Sequence, residues 1–261
     1  MLIGFFDSGI GGVTVLHEAA KTIKNADFLY YGDTKNVPYG TKTKEQVKSY
    51  VRRAADFLVD KGVDVLVVAC NTATSVAIED LRHTYRLPII GMEPAVKPAV
   101  ENHKDKRVLV TATPLALREE KLKKLITRLD AADIVNLLPL PELVRFAEAE
   151  AFDSPEAARY LETELSRFDL SMFKTVVLGC THFIYFRPLF KKLLGTVPDI
   201  DIIDGNRGTV NMLVKTLDQL GGENQGAGCI TYYHSGVEVT DVQTLDRYKR
   251  LLERLDNMEN L

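Results

Sequence analysis

The chain has only three cysteines, Cys70, Cys180 and Cys229, an odd number set far apart and without a Cys-x-x-Cys pair. A disulfide framework and a zinc site are therefore not expected. No apolar run approaches the ~20 residues of a membrane span, so no membrane association is expected. Neither sign of charge dominates: the net charge is −3 over 261 residues, which argues against an electrostatic nucleic-acid binder. The first residues carry no basic region or cleavage site, and Leu2–Phe6 reads as a first strand instead of a signal peptide. No segment is low-complexity and no short-period repeat is visible. These absences leave a soluble, cytoplasmic globular protein with free thiols, long enough for one large domain or two smaller ones.

The chain does carry a pair of matching cysteine settings. One is Val65-Leu66-Val67-Val68-Ala69-Cys70-Asn71-Thr72; the other is Thr175-Val176-Val177-Leu178-Gly179-Cys180-Thr181-His182. Each is a short β-branched apolar run, the mark of a buried parallel strand, that ends in Cys and turns polar. The residues after each Cys read as the start of a helix. A thiol between the C-terminal edge of a sheet and a helix N-terminus lies where α/β proteins bind ligands, and the helix-end field favours its thiolate.

Strands and helices alternate along the rest of the chain. Strands are expected at Leu2–Phe6, Asp27–Tyr31, Asp64–Ala69, Pro88–Gly91, Arg107–Thr111, Asp133–Leu138, Lys174–Leu178, Asp201–Ile203 and Cys229–His234. Between them, helices are expected from about Val13, after a Thr43–Gln46 capping box, over Asn71–Tyr85, and as one piece over Pro114–Leu129. Further helices are expected over Leu143–Glu150, after the Ser154-Pro155 cap, over Pro188–Leu194 and Val210–Leu220, and over Thr240–Asn257 behind a second capping box. This alternation implies parallel sheets covered by helices, an α/β fold. The repeated Cys segments imply two similar lobes with the site in the cleft between them. Pro and Gly cluster at Pro94–Pro98 and Gly205–Gly208. The expected lobes are therefore 1–95 plus 208–261, which is discontinuous, and 96–207.

Each candidate residue has a plainer reading beside the functional one. Asp7, before Gly9-Ile10-Gly11-Gly12, is a turn cap or a ligand-facing carboxylate. The glycine spacing fits neither a dinucleotide fingerprint nor a P-loop, though such a loop can cradle a carboxylate. A strand-end Cys is most often a small buried hydrophobe, but Cys70 and Cys180 are each followed by polar donors. Cys229 lacks such surroundings and reads as core. His182 is structural, or it tunes Cys180 and carries protons. Glu148 is a solvated or a functional carboxylate, and Tyr39-Gly40 a turn or part of the site. A small-ligand binder and a two-cysteine redox protein remain open on these residues alone.

Phe6-Asp7-Ser8-Gly9-Ile10-Gly11-Gly12, Tyr31-Gly32-Asp33 through Pro38-Tyr39-Gly40, Ala69-Cys70-Asn71-Thr72-Ala73 and Gly179-Cys180-Thr181-His182 together resemble glutamate racemase. The two Cys blocks alone mark the wider aspartate/glutamate racemase superfamily, in which an aspartate enzyme is the alternative. The resemblance implies cofactor-independent racemisation with no metal. Cys70 and Cys180 would be the acid/base thiols. Asp7, Ser8, Tyr39, Gly40, Asn71, Thr72, Thr181 and His182 would bind or orient the substrate, and Glu148 would be a supporting carboxylate. It further implies a cytoplasmic homodimer that supplies D-glutamate for bacterial peptidoglycan. The chain departs from the family pattern at Leu140, where many relatives carry Cys, in a shorter Gly91–Pro94 stretch, and at Thr111–Leu117.

Overall fold

The computed structural model describes residues 1–92, 95–102, 106–221 and 226–259. Two sheets organise the described residues. The first begins with β1 (Leu2–Asp7), α1 (Val13–Thr22), β2 (Asp27–Gly32), α2 (Lys44–Asp60), β3 (Val65–Val68), α3 (Asn71–Thr84) and β4 (Ile89–Gly91). The second comes next, with α4 (Val96–Asn102), β5 (Arg107–Ala112), α5 (Pro114–Arg118), α6 (Glu120–Arg128), β6 (Val135–Pro139), α7 (Pro141–Glu148), α8 (Pro155–Leu165), β7 (Phe173–Leu178), α9 (Arg187–Leu194) and β8 (Asp201–Asp204). The chain then adds α10 (Asn206–Leu220), β9 (Ile230–His234), β10 (Val237–Glu238) and α11 (Val242–Glu259).

The strand orders show the internal repeat. The first sheet runs β10-β9-β2-β1-β3-β4 and the second β6-β5-β7-β8. Without β9 and β10, the two orders are the same pattern. A first strand lies in the middle, the second pairs on one side, and the third and fourth add on the other. All pairs are parallel except β9 with β10. Each lobe therefore reverses direction between its first and third strands, β1/β3 and β5/β7. Open parallel sheets form their ligand crevice at such a reversal. The terminal strand β9 pairs with β2, from Phe28 opposite Ile230 to Gly32 opposite His234.

Helices cover the sheets through the apolar stripes their sequences carry. α2 buries Val47, Val51, Ala54, Ala55 and Leu58, and with α3 it closes one face of the first sheet. The other face packs on α1 and α11. Its apolar core runs without a break from Phe5, Phe28 and Tyr30 into Leu143, Phe183, Tyr185 and Phe186 of the second lobe. A separate cluster of Val96, Val108, Val110, Leu122 and Val177 fills the far face of the second sheet. Tyr248 of α11 stacks on Tyr232 of β9, with ring centroids 3.9 Å apart, and so pins the last helix to the first sheet.

Several expectations are corrected. The helix expected over Pro114–Leu129 is two helices, broken at Glu119, whose backbone is extended (φ −67°, ψ 140°) and which pairs with Lys44. Cys180 opens a 3-10 segment, Thr181–Phe186, before α9, not an α-helix. The last helix is capped by Asp241 Oδ1, which accepts the Thr244 N–H at 2.8 Å, and not by Thr240. Cys229 is exposed, because it precedes β9 and only its backbone is engaged, with Asp27 and Phe28. Helix α4 and the short strand β10 carried too little periodicity to be read. Pro94, part of one expected lobe boundary, lies outside the described residues; Gly205 caps α10.

The Thr43 capping box is present as expected, with Thr43 Oγ1 accepting from Gln46 N and Gln46 Oε1 from Thr43 N. Thr43→Ala is expected to lower stability by about 1 kcal/mol, measured as a shift in the urea midpoint at unchanged slope.

Candidate active site

Four strands deliver their C-terminal ends to one crevice: β1 brings Asp7, β3 leads to Cys70, β5 to Thr113 and β7 to Cys180. Ser8 and Thr113 hold equivalent places in the two lobes, as do Cys70 and Cys180, since Phe6 pairs with Val68 as Thr111 pairs with Leu178. All of these site residues, Asp7 included, are buried.

Around Cys70 the partners are neutral or anionic. Its Sγ accepts the Ala73 N–H of α3 at 3.4 Å and lies 3.7 Å from Ser8 Oγ. Burial pushes the Cys70 thiol well above its ordinary range, and the nearby Asp7 carboxylate adds to that; the Ala73 amide offsets only part. This corrects the expectation that the helix end favours the thiolate. Asp7 Oδ1 accepts the Gly9 N–H at 3.0 Å, and its Oδ2 accepts from Thr181 Oγ1 of the other lobe at 3.0 Å. Burial raises the Asp7 carboxyl; His182, Gly9 and Thr181 pull it partly back.

Around Cys180 the partner is cationic. Its Sγ lies 3.8 Å from His182 Nδ1, and His182 Nε2 lies 2.7 Å from Glu148 Oε1, which also accepts the Ile10 N–H at 2.8 Å. Burial works against charge on His182, but its contacts with Cys180 and Glu148 prevail and hold it protonated well above the usual imidazole range. Burial likewise opposes charge on Glu148. His182, the Ile10 amide and Arg247 outweigh it and keep the carboxyl below its ordinary value. Glu148 is therefore a partly buried ion-pair partner and not a freely solvated carboxylate.

The glycine loop is shaped by close approach. A Cβ on Gly9 would sit 1.8 Å from Glu148 Oε1, and one on Gly11 would sit 2.3 Å from Thr181 Oγ1 and 2.5 Å from His182 Nδ1. Tyr30 and Tyr185 hold this loop by donating to the carbonyls of Gly9 (2.6 Å) and Ile10 (3.2 Å).

The remaining candidates line the same crevice or brace its walls. Thr72 Oγ1 lies 2.8 Å from Thr113 Oγ1 across the crevice. Gly40 comes so near the second lobe that a Cβ would lie 2.6 Å from Thr113 Cβ. Tyr39 is buried, and its hydroxyl donates to Asp33 Oδ2 at 2.7 Å, so it anchors its loop. Asn71 is buried with Oδ1 unpartnered. Asn71 and Gly179 line a cavity of about 310 Å³ with Met92, Ala112, Ala116 and Leu122. That cavity touches the chain neighbours of both cysteines but neither thiol. The sequence reading missed Thr113, Asp33, Tyr30, Tyr185 and Arg247. Of these, Thr113, which follows the apolar strand β5 as Ser8 follows β1, and Asp33, within the Tyr31–Gly40 stretch, left a signal. Among the described residues no cluster of three or more His, Cys, Asp or Glu side chains is placed to hold a metal ion, and no helix is long and apolar enough to cross a membrane.

Residues 12–213 match the family described as Asp/Glu/Hydantoin racemase. The chain belongs to that family, a family of isomerases. Within the family, it is 52% identical over 258 residues to the glutamate racemase of Halothermothrix orenii, covering 98% of this chain and all of the relative. It is 49% identical over 261 residues to glutamate racemase 2 of Bacillus subtilis, covering 99% and 98%. Among solved family structures, Escherichia coli glutamate racemase in complex with L-glutamate and the activator UDP-MurNAc-ala superposes with a TM-score of 0.79 at 26% identity, covering 95% of this chain and 94% of that one.

Two outcomes are expected from this geometry. In a Cys180→Ser/Cys229→Ser variant, the ultraviolet thiolate absorbance of Cys70 should stay absent through pH 9, because its pKa is raised; a thiolate present at pH 7 would contradict the assignment. Gly11→Ala should leave the protein folded but reduce activity about 100-fold or more, since the loop must retreat from Thr181 and His182 and misplacement of this size carries such a cost.

Proposed function

We propose that the protein interconverts L- and D-glutamate without a cofactor, with Cys70 and Cys180 as paired acid and base on opposite faces of the substrate α-carbon. The observation that carries this reading is the repeat: two buried cysteines end equivalent strands of two matching sheets, and their surroundings meet across one crevice. The glutamate racemases that share about half of its residues supply the substrate.

Inverting a stereocentre by deprotonation needs a base on one face and an acid on the other, and two like groups can exchange roles with direction. Cys70 rests as a neutral thiol. It delivers a proton to the α-carbon while Cys180, beside the His182 cation, acts as the base and removes one from the opposite face. In the reverse direction Cys70 must first lose its proton. Ser8, Thr72, Thr181 and Asn71 bind the substrate, with Tyr39 and Gly40 forming the wall that Asp33 and Thr113 brace. The unpartnered Asn71 Oδ1 suits an ammonium donor. Enclosure strengthens every such dipole against the developing carbanion.

The proposal extends to the lobes 1–95 plus 208–261 and 96–207 as the units that flank the substrate. It also extends to a cytoplasmic homodimer that supplies D-glutamate for peptidoglycan. The Escherichia coli complex with UDP-MurNAc-ala supports the cell-wall role, because that activator is itself a muramic-acid nucleotide.

The test is a chiral assay of purified protein with L- and D-glutamate and nothing added. Cys70→Ala and Cys180→Ala should each lower racemisation about 10³-fold or more, and exposed Cys229→Ala should retain most of it. Full activity in either of the first two variants would sink the two-thiol reading.

A further inference from the structure

Glu148 is the last residue of α7, and the chain reverses at once. Glu150 adopts a left-handed backbone (φ +54°), unusual for a residue with a side chain. Both sides of this turn are gripped by one residue of the C-terminal helix. Arg247 Nη2 donates to the Glu148 carbonyl at 2.6 Å and lies 3.9 Å from Glu148 Oε2, while Arg247 Nε donates to Glu150 Oε1 at 2.8 Å. Arg250 adds a 3.5 Å contact to Glu150 Oε2. A planar guanidinium spans such a set of acceptors; an ammonium meets only one direction at a time.

From these contacts we infer that Arg247 is a positioning residue: it fixes the Glu148 carboxylate against His182, so that α11, seated on the first lobe, sets the proton traffic at Cys180 in the second. This rests on the assignment of Cys180 as an acid/base thiol. The path is short and every link is a contact: Arg247 to Glu148, Glu148 to His182 at 2.7 Å, His182 to Cys180 at 3.8 Å. Other charged or titratable groups face Glu148 too. They are His182 from the 3-10 segment, Asp7 from β1, His234 from β9, and the phenols of Tyr30, Tyr185 and Tyr248. Of the two cations that lower the Glu148 carboxyl, His182 is a member of the relay and Arg247 is outside it.

A neighbour on α11 supplies the control. Arg254 bridges the same helix to the second lobe through a paired contact with Asp153 at 2.7 and 2.9 Å, with no contact to Glu148. If Arg247 only docks α11, Arg247→Met and Arg254→Met should behave alike. If it positions Glu148, only Arg247→Met should disturb the Cys180 side of the reaction.

The experiment measures kcat, KM and the primary α-deuterium isotope effect in both directions for the full-length enzyme, Arg247→Met, Arg247→Lys, Arg254→Met, His182→Asn and the Arg247→Met/His182→Asn pair. Arg247→Met should lower kcat about tenfold with a smaller change in KM, a coupling of ordinary size for residues in contact. The isotope effect should rise for one enantiomer only, the same one as in His182→Asn. The double variant should be no worse than His182→Asn alone, and Arg247→Lys should recover part of the loss. Arg254→Met should leave the isotope effects as in the parent. Equal changes for both enantiomers, or losses that add in the double variant, would overturn the inference. A second readout needs no turnover: in ¹⁵N-histidine spectra, the His182 signal should titrate at lower pH in Arg247→Met than in the parent, because its carboxylate partner is no longer held. An unchanged titration also overturns it. A parent protein that fails to racemise glutamate strikes the functional proposal instead and leaves this titration test standing.

Discussion

The seam between the Asp7–Gly12 loop and the segment carrying Thr181 and His182 is the constraint on which the rest of the site depends. Its backbone passes so close to Glu148, Thr181 and His182 that a side chain on Gly9 or Gly11 would force one or other of them to shift. Polar contacts cross it at Asp7–Thr181, Ile10–Glu148 and Tyr185–Ile10. These contacts join the C-terminal ends of two separate sheets, and so fix where one cysteine lies relative to the other. They also let ionisable groups be buried together. An isolated carboxylate at such depth is costly; here Asp7 and Glu148 share the field of one imidazolium and several N–H and O–H donors.

That shared field makes two like thiols unlike. Cys70 sits near the Asp7 carboxylate and stays protonated; Cys180 sits beside His182, which Glu148 holds cationic. The sequence expectation relied on the helix N-terminus to favour both thiolates. A helix end contributes about 0.3–1 kcal/mol at an exposed site, whereas burying an ion costs several. Desolvation therefore wins at Cys70, where the helix supplies one amide to the sulfur. At Cys180 the next segment is 3-10, and the sulfur faces the His182 ring instead of an α-helix N-terminus.

What the sequence revealed, and what it hid, divides by distance along the chain. The apolar strands, the capping box at Thr43 and the matched Cys settings are local patterns, and each was legible with its neighbours. The turn at Asp7–Gly12 was legible as a turn, but the reason for its glycines was not, since Glu148 lies 138 residues beyond Ile10. Arg247 matters through partners on another element, Glu148 and Glu150, and carries no local mark. The break at Glu119 was hidden for the same reason: the residues on either side keep helical spacing, and Lys44 supplies the partner from α2. Cys229 was misplaced because its neighbours are strand-like, although the strand begins only at Ile230.

The pairing of β9 with β2 has a consequence for the order in which the molecule comes into being. Strand β2 is complete by residue 32, yet the strand that covers its outer edge begins at residue 230. At ordinary rates of synthesis roughly 10–40 s separate the two events. Through that interval the first sheet presents a bare edge, while the whole second sheet emerges and folds. An unpaired strand edge is a template for illegitimate pairing between nascent chains. The lobe whose residues are made first is thus the lobe whose sheet is finished last, and its exposed edge is a natural point of engagement for a chaperone.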